Sequence, residues 1–320
     1  MKEQTSSQNV IAIIWDFDKT LIPDYMQTPL FKHYGVDEKK FWDENNSLVK
    51  LYKEKGVKVN PETIYLNHIL TYVRNGVFAD LSNDKLKELG NEITFFDGLP
   101  EFLDIAKKYI AENDKYKTFD IKLEHYIVST GLTQMINGSK IAPFVDNAWG
   151  CEFLEEQYKP NQEGNLVAEE LTPKIITGIA YTIDNTSKTK AIFEINKGVN
   201  KYDSISVNQK MSLESRRVPI ENMIYIADGP SDVPAFSVVK KHGGAALAVY
   251  KMDSNMKSFK QAKALLEDGR VDYFSEANYT KDSATYMWLV TKITEIAERI
   301  YKNKMSAIES NSENVPTHLV

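Results

Sequence analysis

The chain has 320 residues, of which 42% are hydrophobic and 26% are charged. These fractions are typical of globular proteins and exclude a collagenous, coiled-coil or mostly disordered chain. The net charge of −6 gives no general attraction for nucleic acid or for an anionic membrane. We therefore expect neither as a partner, although a local basic pocket for a small anion is compatible with this charge.

The sequence contains one cysteine, Cys151, so no intrachain disulfide can form. This fits a reducing compartment. The first apolar stretch, Val10–Trp15, is interrupted by Asp16 and is too short for a signal-peptide core or a membrane span. We therefore expect a cytoplasmic protein.

Taken in chain order, the predicted elements alternate between strands and helices. Apolar runs typical of strands buried on both faces occur at residues 10–15, 125–128, 223–227 and 245–249. Helical patterns occur at residues 99–113, 187–196, 231–241, 256–268 and 283–302. The alternation predicts an α/β fold, a Rossmann-like parallel sheet with helices on both faces, whose ligands bind beyond the carboxyl ends of the strands.

The alternation is broken after the first strand, where only helical patterns occur. They lie at residues 37–55, 61–75 and 83–95. We therefore predict a small helical domain at residues 23–96, inserted into an α/β domain. Its single arginine, Arg74, is compatible with substrate recognition, but a charge that complements the C-terminal end of a helix explains it better.

The remaining boundaries follow from composition. The α/β domain is predicted to span residues 1–22 and 97–305, with a hairpin-like excursion at residues 146–185. Polar residues at both ends predict fraying at residues 1–9 and a flexible tail at residues 306–320.

Acidic side chains follow two of the buried strands. Asp16 and Asp18 come at the end of the first strand, and Asp228 and Asp232 follow the strand at residues 223–227. Clustered carboxylates repel one another and need a cation or a shared proton, and Mg²⁺ is a hard ion that prefers oxygen ligands. For Asp232 an N-terminal helix cap is an equally good explanation.

Groups that could bind an anion follow the strand at residues 125–128. Ser129, Thr130 and Gly131 provide a hydroxyl pair and a glycine there, although such a strand exit is also ordinary. Lys190 lies near the start of a predicted helix, and Lys188 is a competing choice. A phosphate site rich in carboxylates would need one such cation.

This set of residues resembles the haloacid dehalogenase (HAD) superfamily. The run Asp16-Phe17-Asp18-Lys19-Thr20-Leu21 is similar to its first motif, and Ser129 and Lys190 match its second and third motifs. The run Asp228-Gly229-Pro230-Ser231-Asp232 resembles its fourth motif, and the helical insertion resembles its small cap domain. The likeness covers roughly residues 10–250 and is greatest to phosphoserine-phosphatase-like members.

The resemblance implies a role for each of these acids. Asp16 would be the nucleophile that forms an aspartyl-phosphate, and Asp18 would be the general acid and base. Mg²⁺ would be held by the Asp16 carboxylate, the Asp18 backbone carbonyl and Asp228, with Asp232 bound directly or through water.

The resemblance also implies which groups bind the phosphoryl oxygens. Ser129 with the amides near Thr130 and Gly131 would do so, while Lys190 would balance the charge of Asp16 and of the transferring group. We prefer Lys190 to Lys188 because Ala191-Ile192-Phe193 follows it directly, as in the family.

These roles describe a phosphatase that hydrolyses a small soluble phosphomonoester. The presence of an acid at Asp18 favours phosphate esters over halides, because only an ester has a leaving oxygen that needs a proton. The sequence departs from the family pattern at Ala227, before the fourth motif, and at Thr130 in the second. The β-branched side chain of Thr130, at a point where a backbone would approach phosphate, argues against phosphoserine itself as the substrate. A phosphotransferase and a catalytically silent binding module on the same fold are the alternatives.

Overall fold

The structure is a computed structural model that describes residues 7–169 and 174–313. Its main sheet has seven strands in the order β6-β3-β2-β1-β7-β8-β9, and β4 and β5 form a separate hairpin. The strands are β1 (Val10–Trp15), β2 (Lys122–Leu132), β3 (Asn147–Leu154), β4 (Gln157–Pro160), β5 (Leu166–Glu169), β6 (Gly178–Tyr181), β7 (Met223–Ala227), β8 (Ala245–Tyr250) and β9 (Tyr273–Glu276).

Helices cover both faces of this sheet and form the insertion after β1. They are α1 (Thr28–His33), α2 (Glu38–Glu54), α3 (Pro61–Arg74), α4 (Asn83–Gly90), α5 (Glu101–Ala111), α6 (Asp114–Lys117), α7 (Thr133–Gly138), α8 (Lys188–Lys197), α9 (Val233–Lys241), α10 (Lys257–Glu267) and α11 (Ala284–Glu313). The predicted α/β fold with an inserted group of helices is confirmed.

The sheet is parallel except at one edge. β1 pairs in parallel with both β2 and β7, so its carboxyl end lies in the middle of the sheet. Only β6, which pairs with β3, runs antiparallel. The predicted excursion at residues 146–185 therefore contains a sheet strand on each side of the β4–β5 hairpin, while residues 170–173 lie outside the described part of the chain.

Alternate residues of β1 point into two apolar cores. Ile11, Ile13 and Trp15 pack with the inserted helices, α5 and α11. Ala12 and Ile14 pack with α8, α9 and α10 on the other face. All six β1 residues are buried, which explains why this strand is a continuous apolar run.

The two ends of the chain are more ordered than predicted, as far as they are described. Asn9 donates its side-chain amide to the carbonyl oxygens of Phe119 and Asp120, which fixes the start of β1. Helix α11 continues to Glu313, beyond the predicted boundary at residue 305. Residues 1–6 and 314–320 of the predicted frayed ends lie outside the described residues.

Candidate active site

The site is built around Asp16, the first residue after β1. Its backbone N–H donates to the carbonyl oxygen of Ile226 on β7 at 2.9 Å, which extends the pairing of the central strands by one residue. The side chain is only 5% exposed. Thr20 donates its hydroxyl to Asp16 Oδ2 at 3.3 Å, so the turn after β1 closes on the carboxylate.

A buried lysine contacts this carboxylate. Lys188 Nζ lies 2.8 Å from Asp16 Oδ1 and 2.7 Å from Asp232 Oδ1, and its side chain is 1% exposed. Burial lowers the pKa of Lys188, but the charges of Asp16 and Asp232 outweigh this effect and hold the pKa above its usual value. The ammonium is therefore charged and shared between two acids.

The structure does not place Lys190, the lysine preferred from the sequence, beside Asp16. Lys190 Nζ pairs with Glu194 at 3.0 Å, and its side chain is 48% exposed. Positions two apart on a helix do not share a face, so Lys188 and Lys190 cannot both point at the sheet. Helix α8 begins at Lys188, after a turn in which the Asp184 carboxylate accepts the backbone N–H groups of Thr186 and Ser187.

Asp18 lies at the mouth of the same site. Its Oδ1 accepts the backbone N–H of Met26 at 2.9 Å, and the side chain remains partly exposed. Between the two acids of the motif, Lys19 has a φ of 59°, in the left-handed region. Its ammonium donates to the hydroxyl of Tyr25 at 2.8 Å.

Burial and mutual repulsion raise the pKa of the acids in the site. Burial, followed by the charge of Asp16, raises the pKa of Asp18 to about 8. The same two causes raise the pKa of Asp228 to about 7. Burial also raises the pKa of Asp16, to about 6, and Lys188 opposes this rise. The raised pKa values mean that these carboxylates resist being ionised together unless a cation in addition to Lys188 binds beside them.

The acids fit a divalent cation. Carboxylate oxygens of Asp16, Asp228 and Asp232 lie within 4.8 Å of one another. Within the described residues, no side-chain or backbone donor contacts the Asp228 carboxylate, although two acids lie beside it. Oxygen donors that cluster in this way suit Mg²⁺, so the residues present fit the ion that the resemblance implies.

The exit of β2 lies opposite these acids. Ser129 is 1% exposed and its Oγ accepts the backbone N–H of Gly131 at 3.0 Å. A side chain at Gly131 would collide with Met26, whose Cε would lie 2.3 Å from the added Cβ. Ser129 and Thr130 line a cavity of about 250 Å³ together with Asp16, Asp18, Lys188 and Asp228.

The insertion after β1 contacts the end of β2 and contributes a residue to the cavity wall. Tyr65 of α3 donates its hydroxyl to the carbonyl oxygen of Thr130 at 2.9 Å. Tyr25, which lies just before α1, forms part of the cavity wall. Arg74 is exposed in the last turn of α3 and does not line the cavity, which favours its interpretation as a helix-end charge.

Neither Tyr25 nor Tyr225 is predicted as a site residue from the sequence. Tyr225 lies on the buried strand β7, and its hydroxyl donates to Asp232 Oδ1 at 2.6 Å. The sequence signal for Tyr225 is a tyrosine hydroxyl in an otherwise aliphatic strand, three residues before Asp228.

Comparison with known proteins gives one sequence relative and several structural ones. No protein-family model matches the chain. A protein of Borreliella burgdorferi, described as uncharacterized, is 42% identical over 291 residues, which cover 89% of this chain and 97% of that protein. This chain belongs to the same family. The likeness spans nearly all of both proteins.

Three solved structures illustrate the structural likeness. A HAD family hydrolase from Salmonella enterica serovar Typhi aligns with a TM-score of 0.48 and 14% identity, over 84% of this chain and 67% of that chain. A phosphoserine phosphatase with a phospho-aspartyl intermediate analogue gives 0.44 and 18%, over 83% and 93%. Cytosolic 5′-nucleotidase IIIB bound to cytidine gives 0.47 and 13%, over 94% and 88%.

Features of this chain, independent of the solved structures, bear on its fold. The central β1, the insertion that follows it, and the acids and lysine at one end of the sheet are the features that the resemblance implies. These features agree with the resemblance to the HAD superfamily. Within residues 7–169 and 174–313, no helix is long and apolar enough to cross a membrane.

Proposed function

We propose that this protein is a Mg²⁺-dependent phosphatase that hydrolyses a small phosphomonoester through an aspartyl-phosphate. The observation that carries the proposal is the 2.8 Å contact between Lys188 Nζ and Asp16 Oδ1 in a cavity that Asp18 and Asp228 also line. A carboxylate held by a buried cation at the end of a central strand is placed for nucleophilic attack.

In the first half-reaction an oxygen of Asp16 attacks phosphorus, and the bond from phosphorus to the ester oxygen breaks. Asp18 donates a proton to that leaving oxygen. One oxygen of Asp18 accepts the N–H of Met26, which leaves the other free to carry the proton. The raised pKa of Asp18, about 8, is consistent with a protonated acid at neutral pH.

In the second half-reaction Asp18 takes a proton from water, and the oxygen of that water attacks phosphorus. The bond between phosphorus and Asp16 breaks, which releases phosphate and restores both acids. A phosphotransferase would use an alcohol in place of water, with the same residues in the same roles. Transfer to an added alcohol distinguishes the two reactions.

Asp16, Asp228 and the backbone carbonyl of Asp18 would hold Mg²⁺. When bound, the ion neutralises the repulsion between the anionic nucleophile and the anionic substrate. Asp232 has no exposed surface, and its two oxygens accept three hydrogen bonds, from Lys188 and Tyr225 on one and from Ser231 on the other, whereas the oxygens of Asp16 accept one each. We therefore assign it to Lys188 rather than to direct metal binding.

Lys188, in place of Lys190, would balance the charge of the transferring group. The Ser129 hydroxyl, with the backbone N–H groups near Thr130 and Gly131, would bind the phosphoryl oxygens. These side chains all line the cavity or adjoin it. Cytoplasmic location and the absence of nucleic-acid and membrane partners stay predictions.

The test is phosphate release from a panel of phosphomonoesters, with Mg²⁺ or with EDTA. The panel contains phosphoserine, sugar phosphates, nucleotides, pyridoxal phosphate and p-nitrophenyl phosphate. We expect release that needs Mg²⁺ and is lost in Asp16→Asn. Substantial activity in Asp16→Asn would refute the assignment of the nucleophile. A chain that binds Mg²⁺ but releases no phosphate would favour the transferase, and one that does neither would favour the silent module.

A further inference from the structure

The hydroxyl of Tyr225 is fully buried at the end of the chain of contacts that leads to Asp16. Tyr225 and Asp232 both have no exposed surface, and Tyr225 Oη donates to Asp232 Oδ1 at 2.6 Å. The same Oδ1 accepts from Lys188 Nζ at 2.7 Å. Lys188 in turn reaches Asp16 Oδ1 at 2.8 Å. The contacts therefore run from the tyrosine through one acid and one lysine to the nucleophile.

The sheet fixes the position of the tyrosine. Tyr225 lies opposite Ile14 in the parallel pairing of β7 with β1, and opposite Ala246 in the pairing with β8. Its ring packs edge-on against Phe236 of α9, with 5.5 Å between ring centroids and an interplanar angle of 85°. A ring held in this way places its hydroxyl at one point, close to the carboxyl ends of the strands.

The lysine needs such a fixed support. A lysine side chain has a flexible four-carbon stem, and its ammonium is a point charge without a preferred direction. Asp232 can hold it beside Asp16 only if its own carboxylate does not rotate. Tyr225 on Oδ1 and Ser231 on Oδ2, at 2.8 Å, together fix both oxygens of that carboxylate.

We propose that Tyr225 is a positioning residue for the phosphoryl-transfer site: its hydroxyl fixes the Asp232 carboxylate, which holds the Lys188 ammonium against Asp16. This rests on the proposed function. Tyr225 does not line the cavity, so it acts through Asp232 and Lys188 and not on the substrate. Loss of the hydroxyl frees the carboxylate to turn and to draw the ammonium away from the nucleophile.

The chain offers a matched control on the neighbouring strand. Tyr126 of β2 is also buried and lies on the other side of the same Ile14, so the two tyrosines flank β1 at one level. The Tyr126 hydroxyl also donates to a carboxylate, that of Glu124, which pairs with Arg217 outside the site. Tyr126→Phe and Tyr225→Phe therefore delete the same kind of buried hydrogen bond, and only one of these bonds leads to Asp16.

The experiment compares steady-state kinetics of the two variants in the full-length chain with Mg²⁺. We expect Tyr225→Phe to lower kcat about tenfold with KM within about twofold, because a hydrogen bond to a charged group is lost and the substrate is not contacted. Tyr126→Phe is expected to keep wild-type kcat and KM. Equal kcat in Tyr225→Phe and wild type would overturn the proposal, as would an equal loss in both variants.

A double-mutant cycle tests the route of the effect. If Tyr225 acts through Asp232, adding Tyr225→Phe to Asp232→Asn changes kcat by much less than it does in the wild-type background. Two fully multiplicative effects would show that the tyrosine acts by another route, and the proposal would fail.

A binding measurement separates this proposal from the proposed function. Orthovanadate, a mimic of the five-coordinate phosphoryl group, is titrated with Mg²⁺ into wild type and into both variants. We expect binding to weaken about tenfold in Tyr225→Phe and to be unchanged in Tyr126→Phe, because transition-state mimics report the interactions that lower the barrier. If wild type turns over substrate and all three proteins bind vanadate equally, the role of Tyr225 is overturned and the proposed function stands. Wild type without turnover or vanadate binding would overturn both.

Discussion

At the scale of single residues, the decisive feature is an ammonium buried between two carboxylates. Removing Lys188 would take away the cation that Asp16 and Asp232 share in a buried site, since both contact the same Nζ. The exposed Lys190, two residues later, pairs with Glu194 and lies over the ring of Tyr181. The two lysines therefore form a natural matched pair for mutation.

We predict that Lys188→Met lowers kcat by about 10²-fold or more, because the cation beside the nucleophile is lost. Lys190→Met is predicted to keep kcat within about twofold, since an exposed ion pair contributes little. Circular dichroism of both variants controls for folding. A larger loss of kcat in Lys190→Met than in Lys188→Met would restore the sequence-based choice.

The pattern of α8 contained the information that decides between these lysines. Ala191, Ile192 and Ile195 are its buried apolar residues, at positions three, four and seven after Lys188. That spacing places Lys188 on the buried face of the helix. The spacing of the buried residues in α8 favours Lys188. The run Ala191-Ile192-Phe193 that directly follows Lys190 favours Lys190.

A second residue, His125, makes the stability of the core depend on pH. Trp15 Nε1 donates to His125 Nδ1 at 3.1 Å, and His125 Nε2 lies 3.1 Å from the carbonyl oxygen of Leu103. Burial, followed by the charge of Lys107, lowers the pKa of His125 to about 3. The ring is neutral in the folded state, while in the unfolded chain its pKa is about 6.5.

Because the unfolded state binds the proton more readily, the free energy of unfolding falls as the pH drops below about 6.5, by roughly 1.4 kcal/mol per unit until the folded pKa is reached. We predict that the free energy of unfolding of His125→Asn falls less steeply than that of wild type between pH 6 and 4. Urea unfolding at pH steps of roughly half a unit measures this. The exposed His33→Asn serves as the control and is expected to follow wild type. Parallel curves for His125→Asn and wild type would contradict a neutral buried histidine.

At the scale of elements, helix α4 of the insertion packs on helix α7 of the α/β domain through two glycines. A Cβ at Gly90 would lie 2.2 Å from the carbonyl oxygen of Met135, and one at Gly138 would lie 1.7 Å from that of Lys87. Each glycine therefore meets the backbone of the opposite helix. The last helix of the insertion is held against the helix that follows the Ser129 strand.

We predict that Gly138→Ala lowers the free energy of unfolding by about 1–3 kcal/mol. The new Cβ would collide with the backbone carbonyl of Lys87, which cannot move aside as the end of a flexible side chain can. Gly178→Ala is the control, since its Cβ would meet the side chain of Leu154 at ordinary distances, 3.7 Å from Cδ1 and 4.0 Å from Cβ. Urea unfolding of the two variants checks this. Equal stability of Gly138→Ala and Gly178→Ala would show that α4 and α7 are not in such close contact.

Strands and long helices of this chain were predictable, and short elements were not. The strands at residues 10–15 and 223–227 were predicted with their observed bounds, because every residue in them is buried and apolar or aromatic. Strand β9 and helix α1 were missed, since they have four and six residues and show no complete period. The hydrogen bond from Tyr225 to Asp232 depends on side-chain direction across the sheet, which a single sequence does not specify.

At the scale of the whole molecule, the parallel sheet brings together acids that are more than 200 residues apart in sequence. Asp16 follows β1 and Asp228 follows β7, and these strands are neighbours. Because the acids repel one another, a divalent cation is expected to stabilise the folded chain by binding it and not the unfolded chain.

We predict that Mg²⁺ at about 100 times its dissociation constant raises the midpoint of thermal unfolding by roughly 5 °C. Asp228→Asn is predicted to lose most of this shift. Asp24→Asn, which changes a 66%-exposed acid outside the carboxylate cluster, is expected to keep it. The same shift in Asp228→Asn as in wild type would place the metal elsewhere.

The covalent intermediate on Asp16 is the central claim, and rapid acid quenching followed by mass spectrometry of the peptides tests it most directly. The enzyme is mixed with Mg²⁺ and its best substrate from the panel, quenched before one turnover is complete, and digested. We predict one added phosphoryl group on Asp16, absent from Asp16→Asn and longer-lived in Asp18→Asn, which lacks the base for the second step. Turnover without any phosphoryl group on Asp16, or with one on another residue, would contradict the account.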